Sequence, residues 1–127
     1  LLAWAVEPRQ PSAGTLLAFH GDAELAAWSV PWAQEVAERT RWRVVVPEYR
    51  GYAGLGGAPA YQHSAADAWA AYAAARGRWA DVAAGGPLAL FGHSLGSAVA
   101  AELAVALGRA GRAPGALLLQ SPFSSIR

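Results

Sequence analysis

Gly92-His93-Ser94-Leu95-Gly96 interrupts an apolar run at 88–107 and sets a serine midway between two glycines. Leu88 to Phe91 read as a short buried strand, and beyond Ala98 the residues Val99, Leu103, Ala106 and Leu107 recur at the spacing of a helix face. A chain that passes from strand to helix within a few residues must turn sharply, and the apex residue takes a strained backbone conformation. Small residues on both sides relieve the crowding, and here both are glycine. Gly-x-Ser-x-Gly in a strand–turn–helix setting is the nucleophile elbow, which lifts a serine hydroxyl clear of the sheet edge. The plainer reading is a Gly-rich turn that happens to carry a serine; spacing and flanking elements both favour the elbow, which predicts a positive φ at Ser94.

A serine hydroxyl is a poor nucleophile at neutral pH and needs a base to take its proton. Acyl transfer also needs two donors aimed at the oxyanion that forms. The elbow supplies one, the backbone N–H of Leu95 at the helix start, and a loop after a neighbouring strand supplies the other. His20-Gly21-Asp22 lies where that loop is expected, with the Asp22 N–H as donor. Asp22 also reads as the N-cap of the following helix, and the two roles are compatible because a cap uses the side chain.

The elements that must position these residues alternate. Leu1 to Val6 is a short strand that ends at Glu7-Pro8, and Thr15 to Phe19 is a second, apolar throughout after its threonine. Leu25, Trp28, Trp32 and Val36 mark one helix face, with Pro31 starting or kinking a segment. Arg43 to Pro47 is a β-branched strand, residues 50–60 form a Gly-rich loop, and Ser64 to about Arg78 is an Ala-rich helix with Asp67 in its first turn. A last strand at 115–120 follows the elbow helix. Strands alternating with helices from residue 15 onward predict an α/β fold, a mostly parallel sheet with helices on both faces, in a single domain over 1–127.

Composition narrows the chemistry. Ten basic and nine acidic residues leave a net charge of +1, so no nucleic-acid partner is implied. Cysteine is absent, which removes disulfides, thiolate metal sites and a cysteine nucleophile together. Lysine is also absent, so no Walker-type phosphate loop exists, and no Gly-x-Gly-x-x-Gly follows a strand, which leaves a nucleotide-binding reading weak. No cofactor and no metal are expected. Glu102 breaks the longest apolar run, so no transmembrane segment is expected, and the N-terminus lacks a signal-peptide layout, which favours a cytoplasmic location. All ten basic residues are arginine and about a quarter of the chain is alanine, a bias that points to a GC-rich bacterial genome. Methionine is absent, so Leu1 is either a processed start or the beginning of a piece of a longer protein.

"FHGDAE" at 19–24, "VPEYRGYAGLGGAP" at 46–59, "GHSLGS" at 92–97 and "LLLQSPFSSI" at 117–126 occur in the order and spacing of the α/β-hydrolase superfamily. The chain most resembles its bacterial serine-aminopeptidase-like and monoacylglycerol-lipase-like branch. That resemblance implies Ser94 as nucleophile, Leu95 and Asp22 as oxyanion donors, and Gly92, His93, Gly96, His20 and Gly21 as support. His20 would hold its loop rather than act as base, and Arg50-Gly51-Tyr52 would match a loop near the pocket, with Ala53 in place of the family's usual small residue. It also implies a sheet ordered as strands 1–6, 43–47, 15–19, 88–91 and 115–120, and a small-molecule acyl substrate.

The triad is incomplete. After Ser94 the only carboxylate is Glu102, two helical turns beyond the nucleophile, no histidine follows, and Ser121 stands where some members place their acid. The histidines present are His20, His63 and His93. The expectation is a fold truncated before its C-terminal strands, with the acid and histidine beyond Arg127. A serine hydrolase is then the first reading, and a non-catalytic hydrolase-fold module the second. The strand at 115–120 would be left as an apolar edge prone to self-association.

Overall fold

The computed structural model describes residues 3–21, 26–48 and 64–120. In chain order these form β1 (Ala3–Val6), β2 (Thr15–Phe19), a 3-10 turn (Ala26–Ser29), α1 (Val30–Thr40), β3 (Arg43–Pro47), α2 (Ser64–Arg78), α3 (Ala80–Ala83), β4 (Leu88–His93), α4 (Leu95–Arg109) and β5 (Ala116–Gln120). The strands lie in the order β1-β3-β2-β4-β5, as the resemblance implies. β1 runs antiparallel to β3, and the other three pairings are parallel.

Every residue of β2 and β3 is buried, which is why neither strand alternates in polarity. On one face Leu17, Phe19, Val45 and Leu90 meet Tyr72 of α2 and Val99, Leu103 and Leu107 of α4. On the other, Leu16, Ala18, Val44, Val46 and Ala89 meet Ala26, Ala33 and Ala37. The second face corrects the expected stripe of Leu25, Trp28, Trp32 and Val36. Leu25 lies outside the described residues, Trp28 and Trp32 are exposed, Val36 is half-buried, and the buried stripe is alanine. Alanines let α1 lie closer to the sheet than indoles would allow. Trp32 therefore stands at the flank, its ring centroid 5.0 Å from that of Phe91. Pro31 sits in the first turn of α1, where its missing N–H has no helical partner to lose.

β4 runs two residues past the expected end at Phe91. Gly92 pairs with Phe19 of β2, and His93 with Gln120 of β5, so the ladder continues to the residue before the turn. The expected strands at 1–6 and 115–120 are observed as Ala3–Val6 and Ala116–Gln120; residues 1 and 2 and the loop at 50–60 lie outside the described residues.

At the N-terminal ends of the strands the buried Arg43 guanidinium contacts Glu7, Thr15 and Asp81 and lies 4.4 Å over the Trp79 ring. This cluster ties β2, β3 and α3 together at the end away from the elbow. β5 pairs with β4 on one side, yet all five of its residues are exposed, Leu118 at 51%. Among the described residues no helix is long and apolar enough to cross a membrane.

Leu90, fully buried at the centre of β4, is the side chain that most directly seats the strand carrying the elbow. In the intact protein Leu90→Ala should cost about 2–5 kcal/mol, measured by chemical denaturation. A loss under about 1 kcal/mol would show that β4 is not packed as described.

Candidate active site

Ser94 stands between the last residue of β4 and the first of α4 with φ 57° and ψ −119°, a conformation that favours glycine. Its backbone is held on both sides. The Ser94 N–H donates to the Gln120 carbonyl at 2.9 Å, and its carbonyl accepts from the Ser97 N–H and, at 2.6 Å, from the Ser97 hydroxyl. Ser94 occupies the N-cap position, yet its side chain makes no capping hydrogen bond, so the hydroxyl is not committed to the helix. Leu95 opens α4, and its N–H is one of the first-turn donors without a partner inside the helix.

The two flanking glycines are explained by close approach. A Cβ on Gly92 would land on the Gly96 carbonyl, and a Cβ on Gly96 would land on the Phe19 carbonyl at the end of β2. The first turn of α4 therefore lies directly over the C-terminal end of β2. From β2 the chain crosses to β3 on one side, and β4 lies on the other, so the strand order reverses between β2 and β4. Ligands of open α/β sheets bind at such a reversal, beyond the carboxyl ends of the strands. His20-Gly21 and His93-Ser94 leave those two ends.

His20 is buried and doubly engaged. Its Nδ1 lies 3.0 Å from the Gly21 carbonyl, and its Nε2 lies 3.1 Å from Oε1 of Glu48, an ion-pair contact rather than an aligned hydrogen bond. Glu48, the residue after β3, is equally buried, and its Oε2 accepts the Ala26 N–H at 2.9 Å. Sequence reasoning assigned no role to Glu48. The available signal was a carboxylate directly after the apolar run Val44-Val45-Val46-Pro47, a place where a buried charge needs partners.

The structure thus brings together Ser94, Leu95, Gly92, His93, Gly96, His20 and Gly21 at one end of the sheet. Asp22, Arg50-Gly51-Tyr52, His63 and Ser121 lie outside the described residues. Glu102 is exposed on α4. A cavity of about 140 Å³ beside the elbow is lined by His20, Trp32, Phe91, His93 and Gln120 among others. A larger one, about 660 Å³, opens at the opposite ends of the strands near Trp42, Tyr72 and Pro87 and carries no part of this arrangement. Among the described residues no three His, Asp or Glu side chains are grouped as metal ligands would be.

The sequence matches the family described as "Thioesterase domain" over residues 14–123. It is 32% identical to zebrafish (Danio rerio) lysophosphatidylserine lipase ABHD12 over 98% of this chain and 32% of that protein. It is 47% identical to an uncharacterized Mycobacterium tuberculosis protein over 65% of this chain and 27% of that protein. Among solved structures, an α/β-hydrolase enzyme from the metagenome of Lake Arreo superposes with a TM-score of 0.74 at 22% identity, over 94% of this chain and 39% of that one. The chain therefore spans about a third or less of the length of these curated relatives.

Strain at Ser94 can be measured apart from the hydroxyl. Ser94→Ala and Ser94→Gly both remove it, but only glycine relaxes the positive φ. Strain of about 1–3 kcal/mol, offset by about 0.4–1 kcal/mol for a freer unfolded chain, should leave the glycine variant more stable by about 1 kcal/mol in denaturant unfolding. Equal stabilities would mean an unstrained apex.

Proposed function

This chain belongs to the thioesterase-domain family of the α/β-hydrolase superfamily, and from that footing we propose that it is the nucleophile-bearing part of a serine hydrolase. Its substrate is a small acyl compound, an ester, thioester or amide, and residues 1–127 belong to a single catalytic domain. The observation that carries the reading is Ser94 itself, held at φ 57° on a strand–helix apex with its hydroxyl outside the helix cap.

In the proposed reaction Ser94 Oγ adds to the acyl carbon, and the developing oxyanion is met by the Leu95 and Asp22 N–H groups. The Oγ proton passes to a histidine base. Collapse breaks the bond to the leaving oxygen, sulfur or nitrogen, which takes that proton, and water then releases the acyl group from Ser94. His20 is not that base, because both its ring nitrogens already face Gly21 and Glu48. We assign the base and its acid to the part of the relatives' length that this chain does not span. The names of the family and of the zebrafish relative, a thioesterase and a lipase, support acyl release from sulfur or oxygen.

A fluorophosphonate probe should label the intact protein at Ser94. Ser94→Ala should abolish both labelling and p-nitrophenyl-ester turnover, leaving only the roughly 10³–10⁴-fold acceleration that an oxyanion hole and binding supply. An intact protein whose serine stays unlabelled would favour the second reading, a non-catalytic hydrolase-fold module.

The exposed leucines of β5 support a further expectation for the 127-residue chain taken alone. Among the described residues no strand pairs the outer edge of β5, and Leu117, Leu118 and Leu119 are exposed. An unpaired apolar edge is a template for another chain. The isolated chain should self-associate in size-exclusion chromatography and turn over no ester. A monomeric, active species would refute this.

A further inference from the structure

We propose that Ser97 is a positioning residue: its hydroxyl, donating to the Ser94 carbonyl, aims the Leu95 N–H at the oxyanion and locks the apex that carries the nucleophile. The inference rests on the proposed serine-hydrolase reading, in which the Leu95 N–H is an oxyanion donor, and it adds the device that would aim that donor.

Ser97 is the third residue of α4 and is 2% exposed. Two of its groups meet one acceptor. Its N–H reaches the Ser94 carbonyl at 2.9 Å, and its hydroxyl reaches the same oxygen at 2.6 Å. A carbonyl oxygen carries no proton, so the hydroxyl donates. That oxygen belongs to the planar peptide unit joining Ser94 to Leu95, and the N–H of the same unit, that of Leu95, points the opposite way. A bond that fixes the carbonyl therefore fixes the direction of the donor. Helices often carry Glu or Gln at this third position, with the side chain turned back to the N–H of the cap residue. Here that N–H already donates to the Gln120 carbonyl at 2.9 Å, and the third side chain holds the cap carbonyl instead.

The same contact bears on the nucleophile. Ser94 lies between two peptide units, the one before it held at its N–H by Gln120 and the one after it held at its carbonyl by Ser97. With both planes held, φ 57° and ψ −119° are set, and so is the direction of the Cα–Cβ bond that carries Oγ. A strained backbone of this kind persists only where its surroundings over-determine it. Gly92 makes room for the arrangement, because a Cβ there would stand 2.6 Å from the Ser97 Cα. Nucleophile and donor thus share one peptide unit, and Ser97 grips it twice.

The test compares two variants in the intact protein. Ser97→Ala removes the hydroxyl, keeps the N–H contact and suits a helix. Ser97→Thr keeps a hydroxyl that can reach a carbonyl three residues back. Removing an oxyanion donor outright costs about 10²–10³ in kcat, so misaiming one in Ser97→Ala should cost about 5–30-fold for a p-nitrophenyl ester, with KM little changed. Affinity for a boronic acid that mimics the tetrahedral adduct should fall by a similar factor. Ser97→Thr should keep both within about threefold of wild type. Fluorophosphonate labelling of wild-type Ser94 is run alongside: its failure sinks the serine-hydrolase reading, whereas labelled wild type with full kcat in Ser97→Ala sinks the positioning role. A loss confined to KM, unchanged boronic-acid affinity, or a folded Ser97→Thr as impaired as Ser97→Ala also overturns it. Should Ser97→Thr not fold, Ser97→Ala decides by kcat, KM and boronic-acid affinity. Should Ser97→Ala not fold, Ser97→Cys, whose thiol is a weak donor, is judged by the same three readings.

Discussion

The turn at Ser94 sets the terms for the rest of the site. A strand in the middle of the sheet passes into a helix with a single residue between them, and that residue takes φ 57°. Such an abrupt change of direction drives the first turn of α4 onto the end of β2. Two carbonyls, those of Gly96 and Phe19, occupy the space where a Cβ at 92 or 96 would stand. The glycines are therefore required by contact, and the serine is held on both sides by Gln120 and Ser97 while its hydroxyl stays out of the cap.

That constraint reaches the neighbouring strand. Because α4 rests on β2, the chain leaving β2 is committed to the same small region as the nucleophile, at the place where the strand order reverses. The buried His20–Glu48 contact lies beside that strand end, and the same carboxylate accepts the Ala26 N–H. Arg43 and its carboxylate partners do comparable work at the far ends of the strands, where they anchor the sheet without entering the chemistry.

The sequence disclosed most where local spacing and chemistry coincide. The elbow was legible because glycine, serine and glycine must sit at fixed offsets, and the strands because buried parallel strands are continuously apolar, as Thr15–Phe19 and Val44–Val46 are. The strand order came through the motifs at 19–24, 46–59, 92–97 and 117–126, not through periodicity. Trp28 and Trp32 misled because residue size was read as burial, whereas a helix packed close to a sheet turns its alanines inward. Glu48 was missed for a different reason: its partners are 28 and 22 positions away in sequence, and only the adjacency of β2 and β3 brings them together.

The central claim is that Ser94 carries the acyl group during turnover. The most direct measurement is intact-mass analysis of the full-length protein, acid-quenched while it turns over a p-nitrophenyl ester, followed by peptide mapping. The account predicts a mass gain equal to one acyl group, confined to the peptide that contains Ser94. Steady turnover with the acyl group on a different residue, or with no covalent adduct at any quench time, would contradict it.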